Sequence, residues 1–167
     1  ITINGSNDTP AAYDNQNSLA EDSGFAAQGN VLLDQGADSS YAGTAGQAVD
    51  ADPDNGDSFT VTNIANSTAS TTSAVTGATT IAGVYGFLTI NTDGSYSYRH
   101  YVSADTGHTS AASTVQGLTV GGSVTDTFTY TITDSKGSTE TANLVITVNG
   151  ADEAPVNTIP ASVTASG

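Results

Sequence analysis

Residues 124–148 read VTDTFTYTITDSKGSTETANLVITV. On both sides of a central turn, residues 134–137 (DSKG), apolar side chains alternate with small polar ones, mostly threonine. This two-residue period is that of a half-buried strand, so the stretch predicts a long antiparallel pair of strands. The side chains predicted to face the core are Phe128, Tyr130, Ile132, Leu144, Ile146 and Val148.

Two stretches further upstream carry the same signal. Residues 58–64 (SFTVTNI) alternate in a way that places Phe59, Val61 and Asn63 on one face. Residues 87–101 predict a hairpin, because two alternating runs flank an Asp-Gly sequence that favours a tight turn. These segments indicate that strands pair along much of the chain.

No stretch shows a helical period, and the usual helix formers are scarce. We therefore predict an all-β fold, a two-sheet antiparallel β-sandwich with no helix longer than a turn or two. The stretch 66–79, rich in Ser, Thr and Ala, is expected to be a loop or a poorly ordered edge.

The charge balance excludes several classes of partner. The chain has 17 acidic residues against two basic ones, Arg99 and Lys136, and a net charge of -15. Nucleic acid and anionic membrane surfaces both require clustered Lys and Arg, so we expect neither as a partner. There is no cysteine for a disulfide, and no apolar run near the roughly 18 residues that span a bilayer. Without disulfides, a bound divalent cation is the remaining candidate for a stabilising cross-link. We expect the chain to be a monomer that does not insert into a membrane.

The acids are not spread evenly. Residues 49–57 (VDADPDNGD) concentrate side-chain oxygens in a short turn, which is how calcium ligands are often supplied. The run matches an EF-hand loop poorly, and a solvated acidic turn is the alternative reading. The side chains concerned are Asp50, Asp52, Asp54, Asn55 and Asp57.

An internal repeat marks domain boundaries. Residues 1–11 (ITINGSNDTPA) are matched by residues 146–156 (ITVNGADEAPV), a spacing that suits a whole domain. We therefore predict that residues 1–10 are the last strand of a preceding repeat with its linker. Residues 11–150 then form one complete module. Residues 151–167 form a linker and the start of the next repeat, so the chain is expected to be a piece of a longer protein.

Taken in order, these motifs resemble a known family. The run 85–155, preceded by Glu21-Asp22, Gly29-Asn-Val-Leu32 and the acidic turn, is similar to the VCBS-type, cadherin-like repeats of giant bacterial adhesins. The resemblance implies tandem immunoglobulin-like domains of Greek-key topology with calcium at their junctions. It also implies type I secretion to the bacterial cell surface. The insert between Leu33 and Val49 is longer than is usual in that pattern.

The resemblance also implies two groups of calcium ligands. At one junction an Asp-x-Asp pair, which is either Asp52 with Asp54 or Asp50 with Asp52, meets Asp134 and a linker pair. At the other junction an early Glu meets the following linker, and Asp126 is a further candidate there. The full set of implied calcium ligands is Asn7, Asp8, Glu21, Asp50, Asp52, Asp54, Asp134, Asp152 and Glu153.

The predicted strand pair separates these groups in space. An antiparallel pair reverses the chain at its turn, so Asp134 lies at the opposite end of the last strand from residues 152–153. About ten residues at about 3.3 Å each separate the two ends by roughly 35 Å. Asp134 is therefore expected beside Asn7 and Asp8, at the opposite end from Glu21.

The sequence bears on three classes of function. A calcium-stiffened structural spacer between neighbouring repeats of the same chain is favoured. The alternative is a module binding a glycan or another cell surface, with tyrosines as a contact face: Tyr41, Tyr85, Tyr96, Tyr98 and Tyr101. An enzyme is not expected, because there is no nucleophile motif, and His100 and His108 lack zinc-site spacing and are interpreted as exposed polar residues.

Overall fold

The computed structural model of the chain describes residues 5–24, 26–33, 35–36, 49–54 and 56–152. Residues 1–4 and 153–167, which are parts of the predicted remnants 1–10 and 151–167, lie outside these residues, as does most of the long insert. In the described part the strands and helix are β1 (Asn15–Ala20), β2 (Ala27–Asn30), β3 (Gln35–Gly36), β4 (Phe59–Asn66), β5 (Thr71–Ala74), β6 (Thr79–Ala82), β7 (Gly86–Ile90), β8 (Ser95–His100), α1 (Thr109–Gln116), β9 (Ser123–Asp134) and β10 (Thr139–Asn149).

The strands form two five-stranded sheets, in the orders β1-β10-β9-β4-β5 and β3-β2-β8-β7-β6. The chain passes between the sheets after β1, β3, β5 and β8, as in immunoglobulin-like sandwiches. The predicted all-β sandwich is confirmed. One pair departs from the antiparallel expectation: β1 runs parallel to β10, from Asn15 opposite Leu144 to Ala20 opposite Asn149.

The predicted long hairpin forms the centre of the first sheet. β9 and β10 pair in register over their length, with Phe128 opposite Leu144. The six side chains predicted to face the core are all fully buried. They pack against the second sheet, where the predicted hairpin of β7 and β8 contributes Leu88 and Tyr98. Gly94 has a φ of +82° in that hairpin turn, a conformation that glycine adopts without steric cost.

Strand β4 contains a β-bulge that the sequence prediction missed. Val61 pairs with Ile132, but Asn63 pairs with Thr131, so Thr62 is an extra residue. After the bulge the alternation changes phase, and Ile64, rather than Asn63, is fully buried. The prediction that Asn63 shares a face with Val61 is therefore wrong.

The polar stretch 66–79 contains one edge strand and leads into another. It supplies β5 at the edge of the first sheet and leads into β6 at the edge of the second. The helix α1 has eight residues, about 2.2 turns, and buries Ala112 and Val115, so it slightly exceeds the predicted limit of a turn or two. No helix in the described ranges is both long and apolar enough to cross a membrane.

Candidate metal centre

The acidic turn before β4 folds into a compact cluster of carboxylates. Asp52, Asp54 and Asp57 each offer an oxygen, and these oxygens lie within 4.8 Å of one another. The turn is held by its own hydrogen bonds, since the Asp54 N–H donates to Asp52 Oδ1 (2.8 Å) and the Asp57 N–H to the Asp54 carbonyl (3.1 Å). All three residues are half-buried and the Asp57 side chain is only 4% exposed, so their charges are less screened than those of fully exposed acids.

Strand pairing brings the β9–β10 turn, which carries Asp134 and Lys136, beside this cluster. Phe59 at the start of β4 lies opposite Asp134 at the end of β9, so the loop before β4 meets the β9–β10 turn. Asp134 Oδ1 accepts the N–H groups of Lys136 (2.9 Å) and Ser138 (2.8 Å), which fixes the turn. Ser135 Oγ donates to Asp57 Oδ1 across the gap between the two turns.

The segment that leads into the module touches both turns. Asn7 Nδ2 donates to Asp134 Oδ2 (2.8 Å) and to Ser138 Oγ (2.6 Å), and the Asp8 N–H donates to Asp54 Oδ2 (3.0 Å). We call this place, formed by Asn7, Asp8, the cluster and the β9–β10 turn, the leading end. The opposite end, where β10 stops at Asn149, is the trailing end.

Two carboxyl groups at the leading end are held in the charged form. The Ser135 hydroxyl, and then the Lys136 ammonium, lower the pKa of Asp57 to about 2. At Asp134 partial burial acts to raise the pKa, but hydrogen bonds from Asn7 and the backbone N–H of Ser138 outweigh it and lower the pKa. These acids therefore stay ionised at neutral pH.

The oxygens here fit calcium, which takes six to eight hard oxygen ligands. Among the described residues, Asp52 Oδ2 and Asn7 Oδ1 are buried without a hydrogen-bond partner. A buried acceptor that lacks a donor carries a desolvation cost that a cation would remove. The Asp52 oxygen belongs to the cluster of three carboxylates, so the cluster offers a buried, unpartnered oxygen to a hard cation.

Asp50 lies in the core instead. It is 5% exposed, and its two oxygens accept the Tyr13 N–H (2.8 Å) and the Tyr130 hydroxyl (3.1 Å). Burial, and then the Asp50 charge, raise the pKa of Tyr130. Of the two Asp-x-Asp pairs left open by the sequence, the structure gathers Asp52 and Asp54.

The trailing end contains the buried Glu21. It is 2% exposed, its Oε1 accepts the Ala151 N–H (3.0 Å), and its Oε2 is buried without a partner. Asp152 is exposed, and Glu153 lies outside the described residues. In the described ranges, no cluster of three potential ligands forms at this end.

Asp126, the further candidate ligand for the trailing end, is buried in the core and hydrogen-bonded there. It is 1% exposed and accepts hydrogen bonds from the N–H groups of Val84 (2.6 Å) and Tyr85 (3.0 Å). The Tyr98 hydroxyl (2.8 Å) and Asn66 Nδ2 (3.3 Å) complete its set of donors. Asp126 therefore pins the β6–β7 loop to the first sheet.

The interpretation of His100 as an exposed residue is wrong. It is 9% exposed, and its ring nitrogens contact the carbonyl oxygens of Glu21 (2.7 Å) and Tyr101 (2.9 Å). His108 stacks on Tyr101 with ring centroids 4.0 Å apart. Both imidazoles thus support the packing near the trailing end.

The tyrosines proposed as a contact face are mostly in the core. Tyr96 is 6% exposed, and Tyr98 and Tyr101 are fully buried. Tyr85 packs partly buried against the core, and Tyr41 lies outside the described residues. The tyrosines on β8 therefore do not offer the ligand-binding surface that the alternative function needs.

Two residues of the leading end were not chosen as ligands or partners from the sequence. Asp57 was counted in the acidic run but was left out of the ligand set that the family resemblance implies. Lys136 contacts the cluster although about eighty residues separate it from Asp54 and Asp57. In the sequence, the only local feature that points to Lys136 is its position in the turn after Asp134.

Fold and site together define a class: immunoglobulin-like β-sandwich modules with acidic residues gathered at one end. The model of the bacterial cadherin-like domain family matches residues 7–150, and the chain belongs to that family. The comparison with curated proteins found no match.

Proposed function

We propose that this chain is a calcium-binding spacer module of a large, repetitive bacterial surface adhesin. The observation that carries the proposal is the contact of Asn7 and Asp8 with Asp134 and Asp54. The segment arriving from upstream is thereby tied to the acidic cluster. A cation held there would connect the module to whatever precedes it.

The ligands we propose for this centre come from three separate parts of the chain. The acidic turn supplies Asp52, Asp54 and Asp57, the β9–β10 turn supplies Asp134, and the leading segment supplies Asn7. Bound calcium supplies positive charge and coordination positions for these oxygens. A cation bound by all three parts would restrict the hinge between the leading segment and the sandwich.

The charge of the whole molecule supports the same role. A chain with a net charge of -15 repels itself and its like-charged neighbours unless cations neutralise it. Neighbouring repeats of one chain are the partners we propose. The module is then a link that transmits length and stiffness, and it has no catalytic step.

The trailing end is the proposed site of the next junction. Glu21 already bonds to the backbone of Ala151, the residue before the predicted ligands Asp152 and Glu153. The eleven residues of β10 lead from the leading end to this point, at about 3.3 Å per residue roughly 35 Å. We place such a module outside the cell, exported by a type I system, as the adhesin resemblance implies.

Calorimetric titration of the chain with calcium tests the proposal. We expect saturable binding that is strongly weakened in Asp52→Asn/Asp54→Asn, with Glu140→Gln, an exposed acid on β10, as the matched control. Melting in calcium and in chelator provides the second measurement. At about one hundred times Kd the folded state gains about 2.7 kcal/mol, so the melting temperature should fall in chelator. If the melting curves in calcium and in chelator are equal and the titration shows no binding heat, the acidic residues form a solvated turn without a calcium site. That result would contradict the proposal.

A further inference from the structure

Lys136 lies inside the charge cluster that the proposed function assigns to calcium. It is the only lysine of the chain, and its Nζ is 2.9 Å from Asp57 Oδ2 and 3.4 Å from Asp54 Oδ2. The other base, Arg99, pairs with Asp105 (2.8 Å). One of two positive charges is thus placed among the carboxylates that would hold the metal.

The backbone of the β9–β10 turn sets this position. Asp134 Oδ1 accepts the N–H groups of Lys136 and Ser138, and Gly137 adopts a φ of +96° that closes the turn. The turn faces the acidic loop because Phe59 pairs with Asp134. The Lys136 stem therefore reaches across to the cluster from a fixed base.

A lysine in this position competes with a metal ion for the same atoms. Asp54 Oδ2 and Asp57 Oδ2 each contact the ammonium, and Asp54 Oδ2 also accepts the Asp8 N–H. A divalent ion at these oxygens is repelled by a positive charge a few ångströms away. The Lys136 side chain is 52% exposed, and its flexible stem allows it to leave toward solvent.

A single ammonium only partly neutralises three carboxylates. It also leaves Asp52 Oδ2 and Asn7 Oδ1, both buried, without a partner. Lys136 therefore lessens the repulsion in the cluster without satisfying its oxygens. An ammonium group with these two properties keeps the acidic turn folded until a divalent cation binds.

We propose that Lys136 is a built-in counter-ion of the leading end, which stabilises the cluster without divalent metal and lowers its affinity for calcium. This inference rests on the proposed function. Lys136 then sets the calcium concentration at which the junction stiffens. Removing its charge has opposite effects in the two states: the metal-free module loses stability, and calcium binds more tightly.

The test compares Lys136→Gln with Lys136→Arg and with Arg99→Gln, which removes the same charge away from the cluster. Calcium titration by calorimetry should show about tenfold tighter binding for Lys136→Gln, from the loss of nearby like-charge repulsion. Lys136→Arg and Arg99→Gln should stay near the parent affinity. In chelator, Lys136→Gln should melt below the parent, and saturating calcium should remove or reverse that difference.

The outcomes separate this inference from the proposed function. If the parent binds calcium and Lys136→Gln binds it equally or more weakly, Lys136 is not a competing counter-ion, although the calcium site stands. Tighter binding in Arg99→Gln of the same size would reduce the effect to net charge and overturn the inference. If neither the parent nor Lys136→Gln binds calcium, the proposed function fails, and the inference fails with it.

Discussion

At the scale of single residues, the carboxylates divide by what their oxygens contact. Asp126 and Asp50 are buried and accept hydrogen bonds from backbone N–H groups and tyrosine hydroxyls, so they act as internal anchors. Asp52 and Asp54 gather in an acidic turn, with an unpartnered oxygen on Asp52. Sequence position does not separate these two uses, since Asp50 and Asp52 are two residues apart.

Replacing Asp126 with alanine should be strongly destabilising. The change would leave the Val84 and Tyr85 N–H groups and the buried Tyr98 hydroxyl without their acceptor. We expect a loss of about 3–5 kcal/mol in the free energy of unfolding, measured by urea denaturation. Glu140→Ala, which removes an exposed acid, should stay within about 0.5 kcal/mol. A loss for Asp126→Ala as small as this control would contradict the anchoring role.

The Tyr98 hydroxyl should make the fold sensitive to alkali. Burial, and then the neighbouring Asp126 charge, raise the pKa of Tyr98 above the value of about 10 in unfolded chains. The folded state therefore holds this proton more tightly, so the stability it contributes is complete below pH 10 and is lost as the pH rises further.

Tyr98→Phe should make that alkaline decline shallower. It should also cost about 1–2 kcal/mol at neutral pH through the lost hydrogen bond to Asp126. Urea denaturation across a pH series measures both effects. Some decline should persist, because burial also raises the pKa of Tyr96 to about 12. A profile parallel to the parent's would show that Tyr98 is not linked to alkaline unfolding, and Tyr13→Phe, at an exposed position, is the control.

At the scale of elements, strand β4 shows why alternation alone misassigns a face. A period of two predicts Phe59, Val61 and Asn63 on one side, but the bulge at Thr62 inserts one residue and changes the phase. Bulges depend on the partner strand, here β9, and leave no reliable mark in a single sequence. The apolar Ile64 was the one signal that the phase had changed.

A pair of alanine substitutions checks this assignment. Ile64→Ala should lower the free energy of unfolding by about 2–5 kcal/mol, because the side chain is fully buried in the core. Asn63→Ala should cost less than about 1 kcal/mol, since its side chain faces outward on β4. Denaturation of both variants measures the difference. Similar losses at the two positions, or a larger loss at Asn63, would mean that the bulge is misplaced.

Other elements differed in how far the sequence could predict them. The β9–β10 hairpin was predictable because its signal is local: alternation on both sides of a turn. The parallel pairing of β1 with β10 joins distant parts of the chain and has no local signal. The same holds for the contact between Lys136 and Asp57, which depends on β4 pairing with β9. Asp134 and Asn7 were expected together because the family resemblance grouped them and the inferred strand direction placed Asp134 at that end.

At the scale of the whole molecule, the fold separates two acidic ends. Strand β10 runs from the turn beside Asp134 to Asn149, where the Glu21 N–H bonds to the Asn149 carbonyl (3.0 Å). The leading end holds its upstream segment through Asn7, and the trailing end holds its downstream segment through Glu21. Under the proposed spacer function, a module connected at opposite ends would add its length to a chain of repeats.

Replacing Asp134 should loosen the leading end alone. Asp134→Ala removes the acceptor of Asn7 and a proposed calcium ligand, so the hinge to a preceding module should become more flexible. In a two-module protein that includes the preceding repeat, small-angle scattering in calcium should then show a smaller mean extension than in the parent. Asp134→Asn keeps an oxygen for the turn and should show an intermediate loss.

The control is Asp93→Ala, because the Asp93 carboxylate also lies in a turn but accepts from the N–H and hydroxyl of Ser95 within its own hairpin. It removes the same charge without touching the leading segment, and the two-module protein should stay extended. Chelator should shorten the parent more than it shortens Asp134→Ala, since the variant has already lost part of the site. If Asp134→Ala remains as extended as the parent in calcium, Asp134 does not control the hinge, and the leading-end assignment is wrong.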